Sequence, residues 1–274
     1  MIIPKFIEHS LVFFPNKSND STMPDEFGIV YDDITFRTED GLDLNGWFIP
    51  GKKSTPDDGV PSCQADRHTL LWFHGNAGNI NRRLDNLKML HERVPANVFI
   101  IDYRQFGKSE GKISEKGTYL DAKAALAYLH SRKDVNNEKI IFFGRSLGSA
   151  VAVDLAVKEK CCALILETPF TSIKEMAKIL YPYLSIILHL LSTKYDSLSK
   201  IKQITVPTLI MHGDKDELVP FEQGRKLYEQ ANDPKEFYTI PGAMHNDTHI
   251  VGGEKYFDVI RDFVNKLTKQ DCED

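Results

Sequence analysis

KIIFFGRSLGSAVAVDLAV, residues 139–157, runs from a short apolar stretch through a Gly-x-Ser-x-Gly turn into a helix-forming tail. Strand, tight turn and helix in that order are the context in which the central serine becomes an exposed nucleophile. The requirement is steric. Ser146 must sit on a strained turn that projects its hydroxyl from the sheet edge, while Gly144 and Gly148 let neighbouring backbone come close. At ordinary glycine frequencies, with serine assumed similar, roughly 0.1 such motifs would arise by chance in a chain of this length. The context therefore carries the reading, not the bare motif.

Working outward, TLLWF (69–73), NVFII (97–101), ALIL (163–166) and PTLIM (207–211) repeat the pattern of KIIFF and read as strands buried on both faces. Between them, Ala122, Ala125, Leu126 and Leu129, and later Tyr256, Val259, Ile260 and Phe263, recur at helical spacing. Alternating strand and helix predict right-handed crossovers, a mostly parallel sheet with helices on both faces, and ligands beyond the carboxyl ends of the strands. Upstream, residues 30–37 and 42–49 flank Asp40-Gly41, so the sheet is expected to begin with antiparallel strands. Residues 51–66, rich in Gly, Pro, Ser and Asp, read as an exposed loop. The 274 residues suit an N-terminal extension, 1–29, followed by one α/β domain, 30–274.

A serine hydroxyl is a poor nucleophile alone, and in this fold an acid and then a histidine follow it in the chain. The acid lies in HGDKDELVP (212–220), where Asp216 is preferred to Asp214; the base lies in YTIPGAMHND (238–247), where His245 competes with His249. Acyl transfer also needs donors for the developing oxyanion. The amide of Leu147, directly after the nucleophile, supplies one, and HGNAGN (74–79), a Gly-rich loop after TLLWF, is expected to supply another from Asn76. A plain turn is the ordinary alternative for that loop. No nucleotide-binding glycine pattern occurs, and no metal or organic cofactor is called for.

A net charge of -5 offers no electrostatic footprint for nucleic acid. Cys63, Cys161, Cys162 and Cys272 lack zinc or redox spacing and read as reduced structural thiols. The opening MIIPKFIEHSLVFFP is too interrupted by charge and proline for a signal peptide or a spanning helix, so a cytoplasmic enzyme is expected. Residues 172–195 stand apart. Ser172 and Glu175 form a capping-box pair, and a very apolar stretch broken by Pro182 follows. A small helical lid over about 170–200 is the favoured reading, with ordinary packing or a dimer or membrane contact as alternatives.

DGLDLNGWFIP, LWFHGNAGN, DYRQFGKSEG, GRSLGSAVA, LETPFTSI, HGDKDELVP and PGAMHND, in that order from about residue 30 to the C-terminus, resemble the α/β-hydrolase superfamily, with the serine aminopeptidase-like hydrolases as the nearest group. The resemblance implies the α/β-hydrolase fold, Ser146 as nucleophile, Asp216 as acid, His245 as base, and the amides of Asn76 and Leu147 as the oxyanion hole. Gln105 departs from the pattern, which has glycine there, so a different backbone path is expected in that loop. Proteins of this group often carry a membrane-anchoring helix at the N-terminus, which makes membrane association the alternative localisation. The expected reaction is hydrolysis of a small-molecule ester or other acyl substrate through a covalent acyl-enzyme. Thioester or peptide cleavage on the same residues, or a non-catalytic binding role, are the competing readings.

Overall fold

A computed structural model describes residues 12–17, 22–52, 67–181 and 192–270. Eight strands form one sheet: β1 (Asp32–Arg37), β2 (Asp43–Ile49), β3 (Thr69–Phe73), β4 (Asn97–Ile101), β5 (Ile140–Arg145), β6 (Ala163–Glu167), β7 (Thr208–Gly213) and β8 (Lys235–Ile240). Across the sheet the order is β8-β7-β6-β5-β3-β4-β2-β1. β2 runs antiparallel to both its neighbours, and every other pairing is parallel. The expected fold is observed: the β1–β2 hairpin turns through Gly41 at φ 85°, a left-handed value that glycine adopts without steric cost.

Alternation along each strand feeds two cores. Leu71, Phe73, Phe142 and Leu164 face one side of the sheet, whereas Leu70, Trp72, Ile141 and Ile165 face the other. Helices α2 (Glu115–Ser131), α3 (Leu147–Lys158), α5 (Ser197–Ile201) and α6 (Phe221–Gln230) cover the first side. Helices α1 (Leu84–Arg93) and α7 (Thr248–Gln270) cover the second, with a break in α7 at Gly253. Burial on both faces explains why the central strands are apolar without alternation. Trp72 and Phe143, on adjacent strands, stack at 5.3 Å with an 8° interplanar angle, which contributes about 0.5–1.5 kcal/mol beyond the area they bury.

Between β6 and α5, helix α4 (Ile173–Leu180) begins where the capping pair places it: Ser172 Oγ accepts from the Glu175 amide at 3.2 Å. The rest of the apolar stretch, 182–191, lies outside the described residues, as does most of the early loop, 53–66. Gln105 adopts φ 73°, the conformation a glycine would favour, and its Oε1 accepts the Ile113 amide at 2.9 Å. That hydrogen bond offsets part of the left-handed strain. Among the described residues no helix is long and apolar enough to cross a membrane, and Cys161 and Cys162 are free thiols, with burial pushing that of Cys161 up to about 12.

Candidate active site

The chain end of β5 turns sharply into α3, and Ser146 at the junction has φ 53° and ψ −114°, a strained conformation for a residue with a side chain. Two close approaches enforce it. A Cβ on Gly144 would lie 2.3 Å from the Gly148 carbonyl oxygen, and one on Gly148 would lie 1.9 Å from that of Phe73. Only glycine fits at either place. The Ser146 amide donates to the Glu167 carbonyl at 2.9 Å, tying the turn to the end of β6. With its backbone held on both sides, the serine presents its hydroxyl beyond the sheet.

Asp216 and His245 arrive from the loops after β7 and β8. His245 Nδ1 lies 2.7 Å from Asp216 Oδ2, and His245 Nε2 lies 3.0 Å from Ser146 Oγ. The three side chains come from 146, 216 and 245, so the contacts span up to 99 positions. Asp216 Oδ1 accepts the amides of Leu218 and Val219 at 3.0 and 2.8 Å, and its side chain is fully buried. Burial alone would favour its neutral form, but hydrogen bonds from His212 and His245 and from the Val219 amide outweigh that and hold the carboxyl well below the usual carboxylate range.

The sign of the consequence is fixed. A carboxyl with a depressed folded-state pKa contributes stability that is present above its unfolded value, about 4, and is lost as pH falls through the folded one. The denaturant midpoint of the wild-type protein is therefore expected to fall more steeply between pH 6 and pH 3 than that of Asp216→Asn. An equal fall in urea midpoint for the two proteins between those pH values would contradict this.

The competing candidates do other work. Asp214 Oδ1 accepts the Gly242 amide at 2.7 Å, which braces the histidine loop from outside. His249 sits in the first turns of α7, where burial lowers its pKa, away from the Ser146 hydroxyl that His245 occupies. Three contributors had no expected role. His212, four residues before Asp216, lies 3.3 Å from the same carboxylate oxygen. Arg145, inside the turn motif, donates to the His245 carbonyl at 2.6 Å and lies 3.4 Å from Glu167, whose carboxylate also accepts from Thr248. The spacing of His212 and Asp216 at a strand end was the one local signal; the Arg145 and Glu167 contacts join distant loops.

Asn76 and Leu147 flank the serine. A Cβ on Gly75 would lie 3.6 Å from Ser146 Cβ, so the 74–79 loop runs beside Ser146, and Leu147 opens α3 directly after it. The side chain of Asn76 is committed elsewhere: its Nδ2 donates to the Val12 carbonyl, and its Oδ1 accepts the Phe14 amide at 3.4 Å. Beneath the loop, Asp102 accepts the Ile80 amide at 3.0 Å, and Tyr103 donates to the His74 carbonyl at 3.0 Å. Above it, Phe14 and Pro15 pair in parallel with Ala77 and Gly78.

Ser146 and His245 open into a cavity of about 600 Å³. Its lining is largely apolar, with Phe14, Phe170, Ile173, Met176 and Leu218 among the residues, and Arg82, Arg83 and Arg145 line it too. The size suits a small organic substrate.

A profile of the family described as serine aminopeptidase, S33 matches residues 64–199 and 182–249. The chain is 38% identical over 259 residues to protein bem46 of Schizosaccharomyces pombe, covering 92% of this chain and 82% of that protein. It is 35% identical to the α/β hydrolase domain-containing protein WAV2 of Arabidopsis thaliana, over 90% of this chain and 82% of that one. Among solved structures, the Pyrococcus furiosus esterase Pf2001 superposes with a TM-score of 0.74 at 22% identity, over 93% of this chain and 98% of that one.

Proposed function

The chain belongs to the α/β-hydrolase superfamily, in the family described as serine aminopeptidase, S33, and is a hydrolase; from that premise we propose that it cleaves carboxylic esters through Ser146, His245 and Asp216. The observation that carries this reading is the continuous hydrogen-bonded chain from Asp216 through His245 to Ser146, at 2.7 and 3.0 Å, opening into a largely apolar cavity. His245 takes the Ser146 proton as Oγ attacks the ester carbonyl, and Asp216 holds the imidazole in orientation and stabilises its charged form. The amides of Leu147 and Asn76 receive the oxyanion. The bond from the carbonyl carbon to the alcohol oxygen breaks, and His245 returns the proton to that oxygen. Water, deprotonated in turn by His245, then cleaves the acyl-enzyme, releasing the acid and regenerating the serine.

Aminopeptidase activity, which the family description raises, needs a negative group to hold the substrate ammonium. The described residues that line the cavity include three arginines and no carboxylate, which supports ester cleavage instead.

Rates on p-nitrophenyl esters of two to twelve carbons are expected to peak at an intermediate chain that fills the cavity, and p-nitroanilides of free amino acids are expected to turn over at least about 100-fold more slowly, since an unpaired ammonium beside arginines costs several kcal/mol. Faster cleavage of the anilides would overturn the esterase assignment.

A further inference from the structure

Arg83 lines the same cavity as Ser146, and its guanidinium donates to the Ala77 carbonyl, one residue beyond Asn76. Its Nε is buried and makes no hydrogen bond. Among the described residues no carboxylate pairs with it, unlike Arg145, which has Glu167 beside it, or Arg104, which has Asp40 and Asp121. Burial, and then the nearby charge of Arg145, lower its pKa to about 10, so it remains a cation at neutral pH. Because Nε is closed off from solvent, a ligand in the cavity would meet the terminal nitrogens, and a guanidinium so enclosed is costly without a charged partner. Arg82 lines the cavity as well.

Resting on the esterase reading, the geometry points to an acyl ester that carries an anionic oxygen group close to the scissile bond as the substrate class, with Arg83 as the residue that binds that group. The acyl chain lies against Phe170, Ile173 and Met176. The anion lies against Arg83, within two peptide units of the Asn76 amide. A guanidinium forks onto carboxylate and phosphate alike, so the shared chemistry is the oxyanion, and the test separates its two sources.

Three hexanoyl esters matched in length test this in a pH-stat assay: those of propan-1-ol, of 3-hydroxypropanoate and of 2-hydroxyethyl phosphate. The wild-type kcat/KM is expected to be about tenfold or more higher for at least one anionic ester than for the propyl ester, the gain typical of a charge-assisted hydrogen bond. The anion that gains more identifies the source. In Arg83→Gln the anionic-to-neutral ratio should fall to about one, and Arg83→Lys should restore part of it. If Arg83 served only to hold the Ala77 carbonyl, both rates would drop together and the ratio would stand. Wild-type cleavage without anionic preference overturns this inference alone and needs no variant to fold. Failure to cleave any of the three esters, or a p-nitrophenyl ester, removes the esterase reading and this inference with it.

Discussion

Ser146→Ala is expected to lower kcat/KM on a p-nitrophenyl hexanoate substrate by about 10⁴- to 10⁶-fold, and His245→Ala by a similar factor, while the double variant falls no further than either. Oγ and Nε2 sit 3.0 Å apart, and in the proposed chemistry they act as one device, so that removing either member would disable both. What survives is the activity that binding and the two amides beside the serine supply without a nucleophile, in such enzymes about 10³–10⁴ over water. Asp216→Asn should lose about 10⁴ by a different route, because an amide at that position favours the wrong histidine tautomer. Steady-state rates on purified variants, with melting curves to show that each is folded, decide the matter. Wild-type turnover in Ser146→Ala, or losses that multiply in the double variant, would remove the proposed chemistry. Labelling by a fluorophosphonate gives an independent readout: it should mark the wild-type chain at Ser146 and leave the alanine variant unmarked.

The largest effect on stability is expected at Gly148. An added Cβ would stand 1.9 Å from the Phe73 carbonyl oxygen and 2.8 Å from that of His74. Both are backbone atoms of β3 and of the loop it feeds, so no rotamer change relieves the overlap, and α3 must move off the sheet. A cost above about 4 kcal/mol belongs to the small class of severely destabilising substitutions. For a domain of this size that corresponds to a fall in Tm of roughly 10 °C or more. Gly28→Ala provides the contrast. Gly28 has φ 72° but nothing within 4 Å of the added atom, so only the left-handed backbone is penalised, by about 1–2 kcal/mol. Equal melting temperatures for the two variants would show that the contact between α3 and β3 is not the constraint described.

Much of this was legible in the amino-acid order because the physics involved is local. A nucleophile turn declares its glycines at fixed offsets, and strands buried on both faces declare themselves as apolar runs. Asp216 and His245 follow strands in positions where the chain has little choice but to deliver them to the same edge. Other parts depend on neighbours that spacing does not encode. Nothing around Arg145 announces that its guanidinium will hold the carbonyl of a histidine 100 positions away, or that Glu167 will sit beside it without exposure to solvent. Asp214 and Asp216 lie in one loop, and although the sequence favours Asp216, only the structure shows that a two-residue advance sends the first to the Gly242 amide and the second to His245. Gln105 shows the reverse case. A departure from glycine implied a changed path, yet a single amide hydrogen bond lets glutamine take the left-handed conformation.

The pairing of Phe14 and Pro15 with Ala77 and Gly78 divides the labour of the chain in an unusual way. The candidate reacting groups stand at strand ends of the large sheet, while one side of the doorway to them, at Val12, Phe14 and Asn16, is built from a ribbon held by its pairing with Ala77 and Gly78, by the Asn76 side-chain amide, and by the Gly107 amide, which donates to the Asn16 carbonyl at 3.0 Å. Phe14 and Asn16 stand outside both hydrophobic cores, whereas Val12 and Phe13 of the same ribbon pack into the first. Which molecules are admitted can thus change at Phe14 and Asn16 with little effect on the packing that holds the fold.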